Sequence, residues 1–173
     1  MIILDPNPPI FTTRSVYIPY VSDSDSIRTC FGHDSIYSFY NVLRSHEKQK
    51  RRVIKCHPTL VEVARKRARQ ICDVFDHITQ DGVTVNELIR LHGLTLPDEY
   101  SEVGNNVECI AGGSSSPQAI VDALANSPNH SVSIFGLNDF FEKQNYCGIG
   151  FYSGGEYSWY WSIIFTELIT SGE

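Results

Sequence analysis

Asp76-His77-Ile78-Thr79-Gln80-Asp81-Gly82 closes the most strongly patterned segment of this chain. Upstream of it Leu60, Ala64, Ala68, Ile71, Phe75 and Ile78 recur at steps of three and four, which predicts an amphipathic helix from Thr59 to about Ile78. On helical steps of 100°, His77 falls roughly 110° from the centre of that apolar stripe, at the edge of the packed face and suited to line a cleft. The basic run Arg65-Lys66-Arg67-Ala68-Arg69 lies on the same helix and reads as its solvated side.

Outward from this helix the chain alternates between readable elements and loops. Residues 1–32, rich in Pro, Ser, Thr, Asp and Tyr, read as an extended arm with one strand at Arg14–Val21. A helix follows, capped by Asp34 or Ser35, with Ile36, Phe39, Tyr40 and Leu43 on one face. Lys48-Gln49-Lys50-Arg51-Arg52 places cations at its C-terminal end, where the helix dipole favours them. Lys55–Pro58 breaks the chain. Thr84 and Glu87 have capping-box spacing for a short helix at Val85–His92, stopped by Gly93. Leu94–Ser116 is loop-like, and Ser116-Pro117 then starts a helix carrying Ile120, Val121 and Leu124.

The period changes in the last third. Tyr146–Tyr152 and Glu156–Thr166 are rich in aromatic and β-branched residues, with Ser153-Gly154-Gly155 turning between them. Alternation puts Tyr157, Trp159 and Trp161 on one side of the final strand and Tyr160 on the other. Helices followed by a terminal strand pair give an α+β architecture, with helices packed on an antiparallel sheet.

At 173 residues the chain suits one domain with a substantial core, and 42% apolar and 20% charged residues are globular values. The formal net charge of −6 argues against nucleic acid as a partner. Five cysteines, Cys30, Cys56, Cys72, Cys109 and Cys147, show no metal-type spacing; their odd number leaves one thiol without a partner in the monomer, and their pairing stays open. No apolar run is long enough to span a membrane. Met1-Ile2-Ile3-Leu4, followed by Asp5 and three prolines, does not read as a signal peptide, so export would need a leader removed beforehand or another route.

Several short motifs, in order, resemble the CAP (SCP-like) domain of cysteine-rich secretory, antigen 5 and pathogenesis-related proteins, and its bacterial members in particular. They are Asn41-Val42-Leu43-Arg44; Leu60, Ala64, Arg67 and Ala68; His77; Gly104-Asn105-Asn106-Val107; Ser116-Pro117 with Val121; Ser127-Pro128 and His130; Gly148-Ile149-Gly150; and Tyr160-Trp161 through Phe165. The resemblance implies a three-layer α-β-α sandwich with a central antiparallel sheet over residues 33–170, following the arm at 1–32. It also implies an extracellular or cell-surface location. Its central cleft would be lined by His77, Asn105, Glu108, Ser127 and His130.

In many members of that family two histidines and one or two glutamates hold a divalent ion there. Here Asn105 stands in the glutamate's place and Leu124 where a tryptophan is frequent. An amide offers a carbonyl oxygen but no charge to balance a dication. His77 and His130 alone therefore imply a zinc or other divalent ion held weakly, with Glu102 or Glu108 near enough in sequence to assist. The expected function is a non-enzymatic binding or interaction module for a protein, glycan or lipid partner. Two alternatives use the same region: a peptidase-like metal-dependent hydrolase, and lipid or sterol binding. Ser127, Ser131 and Cys109 are the candidate nucleophiles, but no nucleophile elbow surrounds them. Oligomeric state and partner identity are not readable.

Overall fold

The computed structural model describes residues 24–102 and 104–169; the strand expected at Arg14–Val21 lies outside them. In chain order the elements are α1 (Ser24–Phe31), α2 (Asp34–Ser45), β1 (Lys55–Cys56), α3 (Pro58–Asp73), α4 (Val85–Leu91), β2 (Glu108–Gly112), α5 (Pro117–Asn126), α6 (Pro128–Ile134), α7 (Asp139–Glu142), β3 (Tyr146–Ser153) and β4 (Trp159–Thr166). The fold is α+β, on an open four-stranded sheet of order β1-β3-β4-β2.

Local chemistry sets most helix ends. Ser116 Oγ accepts from the Ala119 N–H at 3.3 Å and Thr84 Oγ1 from the Glu87 N–H at 3.2 Å, so both expected caps are in place. His33, rather than Asp34 or Ser35, caps α2, its Nδ1 accepting from the Ser35 N–H. The last quarter of the supposed extended arm is α1, whose Ile27 and Phe31 are buried in the core.

Strands β2, β4 and β3 are antiparallel, but β1 pairs parallel with β3, so the sheet is mixed. Lys55-Cys56, read as a break, is this parallel edge, and Glu108–Gly112, read as loop, is the opposite edge. Both escaped a periodicity reading because they are short, and β2 begins with three consecutive buried residues instead of alternating.

The four-residue run Cys147-Gly148-Ile149-Gly150 explains how the layers meet. Cys147 and Ile149 point into a core built with Phe31, Phe39, Leu43, Val121 and Leu124 of α1, α2 and α5. Burying each such aliphatic or aromatic side chain contributes about 1.5–3 kcal/mol. Gly148 and Gly150 face the other way, where a Cβ would fall on the backbone of Leu60 and Ala64, so α3 lies directly against β3. Trp161, fully buried, faces α2 and stacks on Phe39, while Tyr160 faces α3 and packs with Ile71. Helices cover both faces. Tyr157 precedes the strand and packs against Phe75 and Tyr160, not beside Trp159 as alternation suggested.

A disulfide joins Cys30 of α1 to Cys56 of β1, leaving Cys72, Cys109 and Cys147 as free thiols. Among the described residues no helix is long and apolar enough to cross a membrane.

Candidate functional site

The helix carrying the apolar stripe stops five residues earlier than its pattern suggests, and that stop makes the site. Val74 is extended (φ −138, ψ 110). Asp76 Oδ1 accepts from the Ile78 N–H at 2.9 Å, a local turn that competes with another helical bond. Arg67 Nη2 takes the Asp76 carbonyl at 2.5 Å. His77 is therefore on a loop, not at a helix edge, and Phe75 and Ile78 are exposed rather than in the stripe. A small bridge, Ile78 to Thr84, closes this loop ahead of α4.

His77 Nδ1 lies 3.1 Å from Glu108 Oε2. A carboxylate only accepts, so Nδ1 carries the proton and Nε2 is left as the ring's lone-pair nitrogen. Glu108 is wholly buried at the start of β2, paired with an equally buried Arg67: Nε to Oε1 at 3.1 Å and Nη2 to Oε2 at 3.3 Å. Ser162 Oγ donates to Oε1 at 2.8 Å. Every oxygen of Glu108 is thus engaged within the protein. Glu102 is exposed.

Asn105 closes the loop before β2 by bonding the Glu108 backbone twice. Its Nδ2 donates to the carbonyl at 2.9 Å and its Oδ1 accepts from the N–H at 3.0 Å. A glutamate could make only the second of these bonds, so the amide here does structural work that the family's acid could not.

His130 comes from the other layer. It lies on α6, where Ser133 donates to the His130 carbonyl and contacts Cys109 Sγ at 3.2 Å. Glu108 and Cys109, successive residues of β2, thus tie the two histidine-bearing segments to one edge of the sheet. Ser127 is the N-cap of α6 but makes no capping bond; its hydroxyl lies 2.8 Å from His130 Nδ1 instead. Burial, and then electrostatic repulsion between it and His77, hold His130 below the usual imidazole range.

Arg51 fixes α6 in place. Its guanidinium donates to the carbonyls of Ser133, Ile134 and Gln144 at 2.7, 2.9 and 2.6 Å and lies 4.0 Å from the Phe165 ring centre; burial lowers its pKa to about 10. The basic run after α2 does serve a helix C-terminus, but that of α6.

The chemistry available can be counted from these contacts. His77 and His130 each keep one Nε2, and among the described residues no three His, Cys, Asp or Glu side chains group so as to hold a metal ion. A zinc site takes at least three protein ligands, so the donors present do not fit a dedicated one. Ser127 with His130 supplies one contact of a nucleophile–base pair without a carboxylate to orient the ring. Cys109 is fully buried, which pushes its thiol up to about 11 and keeps it protonated at neutral pH.

The sequence reading missed Ser162 and put Arg67 on the solvated side of its helix, where the structure buries it. Arg67 had a signal: it sits three residues after Ala64 and seven after Leu60, on the stripe itself. An arginine at a core position needs a buried partner.

No family model matches the sequence, and no curated protein matches it. Two solved structures do. An outer surface protein from Borrelia burgdorferi aligns with TM-score 0.52 at 15% identity, over 87% of this chain and 98% of that one. An extracellular protein containing an SCP domain, from Bacillus anthracis, aligns with TM-score 0.55 at 16% identity over 77% of this chain, which spans 40% of that protein. The fold of this chain is CAP/SCP-like.

Proposed function

We propose that the chain is a non-enzymatic CAP-like interaction module working outside the cell or at its surface, with His77 and His130 lining its cleft. The location rests on the two structural relatives, one an outer surface and one an extracellular protein. The observation that carries the reading is the state of Glu108. The buried carboxylate nearest the histidines is consumed by Arg67, Ser162 and His77, so it is free neither to ligate a metal nor to act as a general base.

A divalent ion at this edge would be held by two Nε2 donors and water. It would bind weakly and leave as the imidazoles protonate in acid. Zinc calorimetry on the protein and on His77→Ala and His130→Ala tests this. Weak binding lost in either variant is expected. Tight one-to-one binding lost in both would overturn the reading in favour of a metal-dependent hydrolase.

A further inference from the structure

Half of the large apolar side chains that the described residues expose belong to two chain segments that meet where Phe75 touches Tyr157. Val74, Phe75, Ile78 and Tyr157 are each between 44% and 48% exposed, whereas Val53, Leu91, Leu137 and Ile169 are dispersed along the chain. The cluster flanks His77 on both sides in sequence. Single exposed apolar residues are ordinary; a cluster beside a candidate site is not.

The cluster is built rather than loose. The Phe75 and Tyr157 rings meet edge to face at 5.6 Å, and both rest on the buried Tyr160, whose hydroxyl accepts the Tyr157 N–H at 3.0 Å. Gly112 leaves the space beneath them: a Cβ there would press on the Trp159 carbonyl and touch both Tyr157 and Phe75. Rings held this way lose little freedom on binding.

Its rim is acidic. Asp73, Asp76 and Glu156 are exposed and adjoin Val74, Phe75 and Tyr157 in the chain. Asp76 turns onto the Ile78 N–H, and among the described residues Asp73 and Glu156 have no ion-pair partner. The nearest exposed cation along α3, Arg69, is turned onto the Tyr152 ring. An acidic rim repels an anionic lipid surface and attracts Lys and Arg.

From this juxtaposition we infer that the Phe75–Tyr157 face docks a protein segment carrying apolar side chains flanked by Lys or Arg. The inference names the partner class for the interaction module proposed above and rests on that reading, but it uses none of the same side chains.

The test uses short labelled peptides alternating Lys with Leu, Glu with Leu, or Lys with Ser, followed by fluorescence anisotropy on the full chain. The Lys–Leu peptide should bind, more weakly at high salt. Phe75→Ser and Tyr157→Ser should each weaken it about tenfold, the loss expected for an anchor residue. Asp73→Asn with Glu156→Gln should weaken it and flatten the salt dependence. Leu91→Ser, at a still more exposed apolar residue elsewhere, should change nothing.

Equal binding of the Glu–Leu peptide, or equal Lys–Leu binding by all variants, overturns the inference. So does self-association in sedimentation that Phe75→Ser abolishes, which would make the face a contact between copies, and so does preference for phosphatidylglycerol vesicles. A deletion of residues 1–23 that alone permits peptide binding would assign the face to the chain's own first residues and also overturn it. Zinc binding lost in the histidine variants is read separately, so failure of one proposal leaves the other standing.

Discussion

On one face the sheet meets α1, α2, α5 and α6 through a largely apolar layer, with Phe39 stacked on Trp161, the Cys30–Cys56 disulfide at its margin and Arg51 buried over Phe165. On the other face it meets α3 through two glycines and a buried charge network, Arg67–Glu108 with Ser162 and His77. The first layer can be repacked with little loss so long as volume is kept. The second depends on specific partners, because a buried ion pair that loses one member leaves the other charge uncompensated. The polar layer is also the one that reaches the candidate site, so the demands of holding His77 and of holding α3 fall on the same residues.

The largest way to break this contrast is Glu108→Gln, which leaves the Arg67 guanidinium buried without a counter-charge. The expected loss is roughly 3–5 kcal/mol in urea denaturation. Arg67→Met with Glu108→Leu removes both charges and should recover most of it. If the double variant is no better than the single one, the network stabilises by more than charge pairing. On the apolar side, Cys30→Ser opens a disulfide between residues separated by 26 positions and should cost about 3.5 kcal/mol on the chain-entropy account. The His77 ring resonances should not move in that variant. A shift there would show that the two faces are coupled.

How far the sequence carried the argument depended on whether a residue's role was local. The caps Ser116 and Thr84, the stop at Gly93 and the Gly148-Ile149-Gly150 strand were all legible, since each follows from neighbours within a few positions. The end of α3 was not. The apolar pattern ran on through Phe75 and Ile78, and what stops the helix is Asp76's side chain together with Arg67 reaching its carbonyl. Strand β2 was invisible because its partner, β4, lies some fifty residues away and supplies its only reason to be extended. His77, Asn105, Ser127 and His130 were named from family resemblance, and Glu108 from its nearness to Asn105. What each does, Asn105 stitching the loop and Glu108 spent on Arg67, needed contacts that no spacing rule contains.

The smallest effect separates the two histidines themselves. His130 titrates below an ordinary imidazole, first because it is partly buried and then because His77 is near. As pH falls, the unfolded chain takes up this proton first. The associated stability is therefore present above about pH 6.5, the unfolded value, and is lost as pH drops toward the folded one. His57, lowered by burial alone, contributes in the same direction, so the measurement must be a difference. Denaturation at pH 7.5 and pH 5 should show a smaller pH-dependent loss in His130→Gln than in the parent protein. In His77→Gln, the His130 resonance should titrate closer to an ordinary histidine while remaining below it, because burial persists. If His130 titrates identically with and without His77, the two rings do not share one electrostatic environment. The edge of β2 would then carry two separate histidines rather than one site.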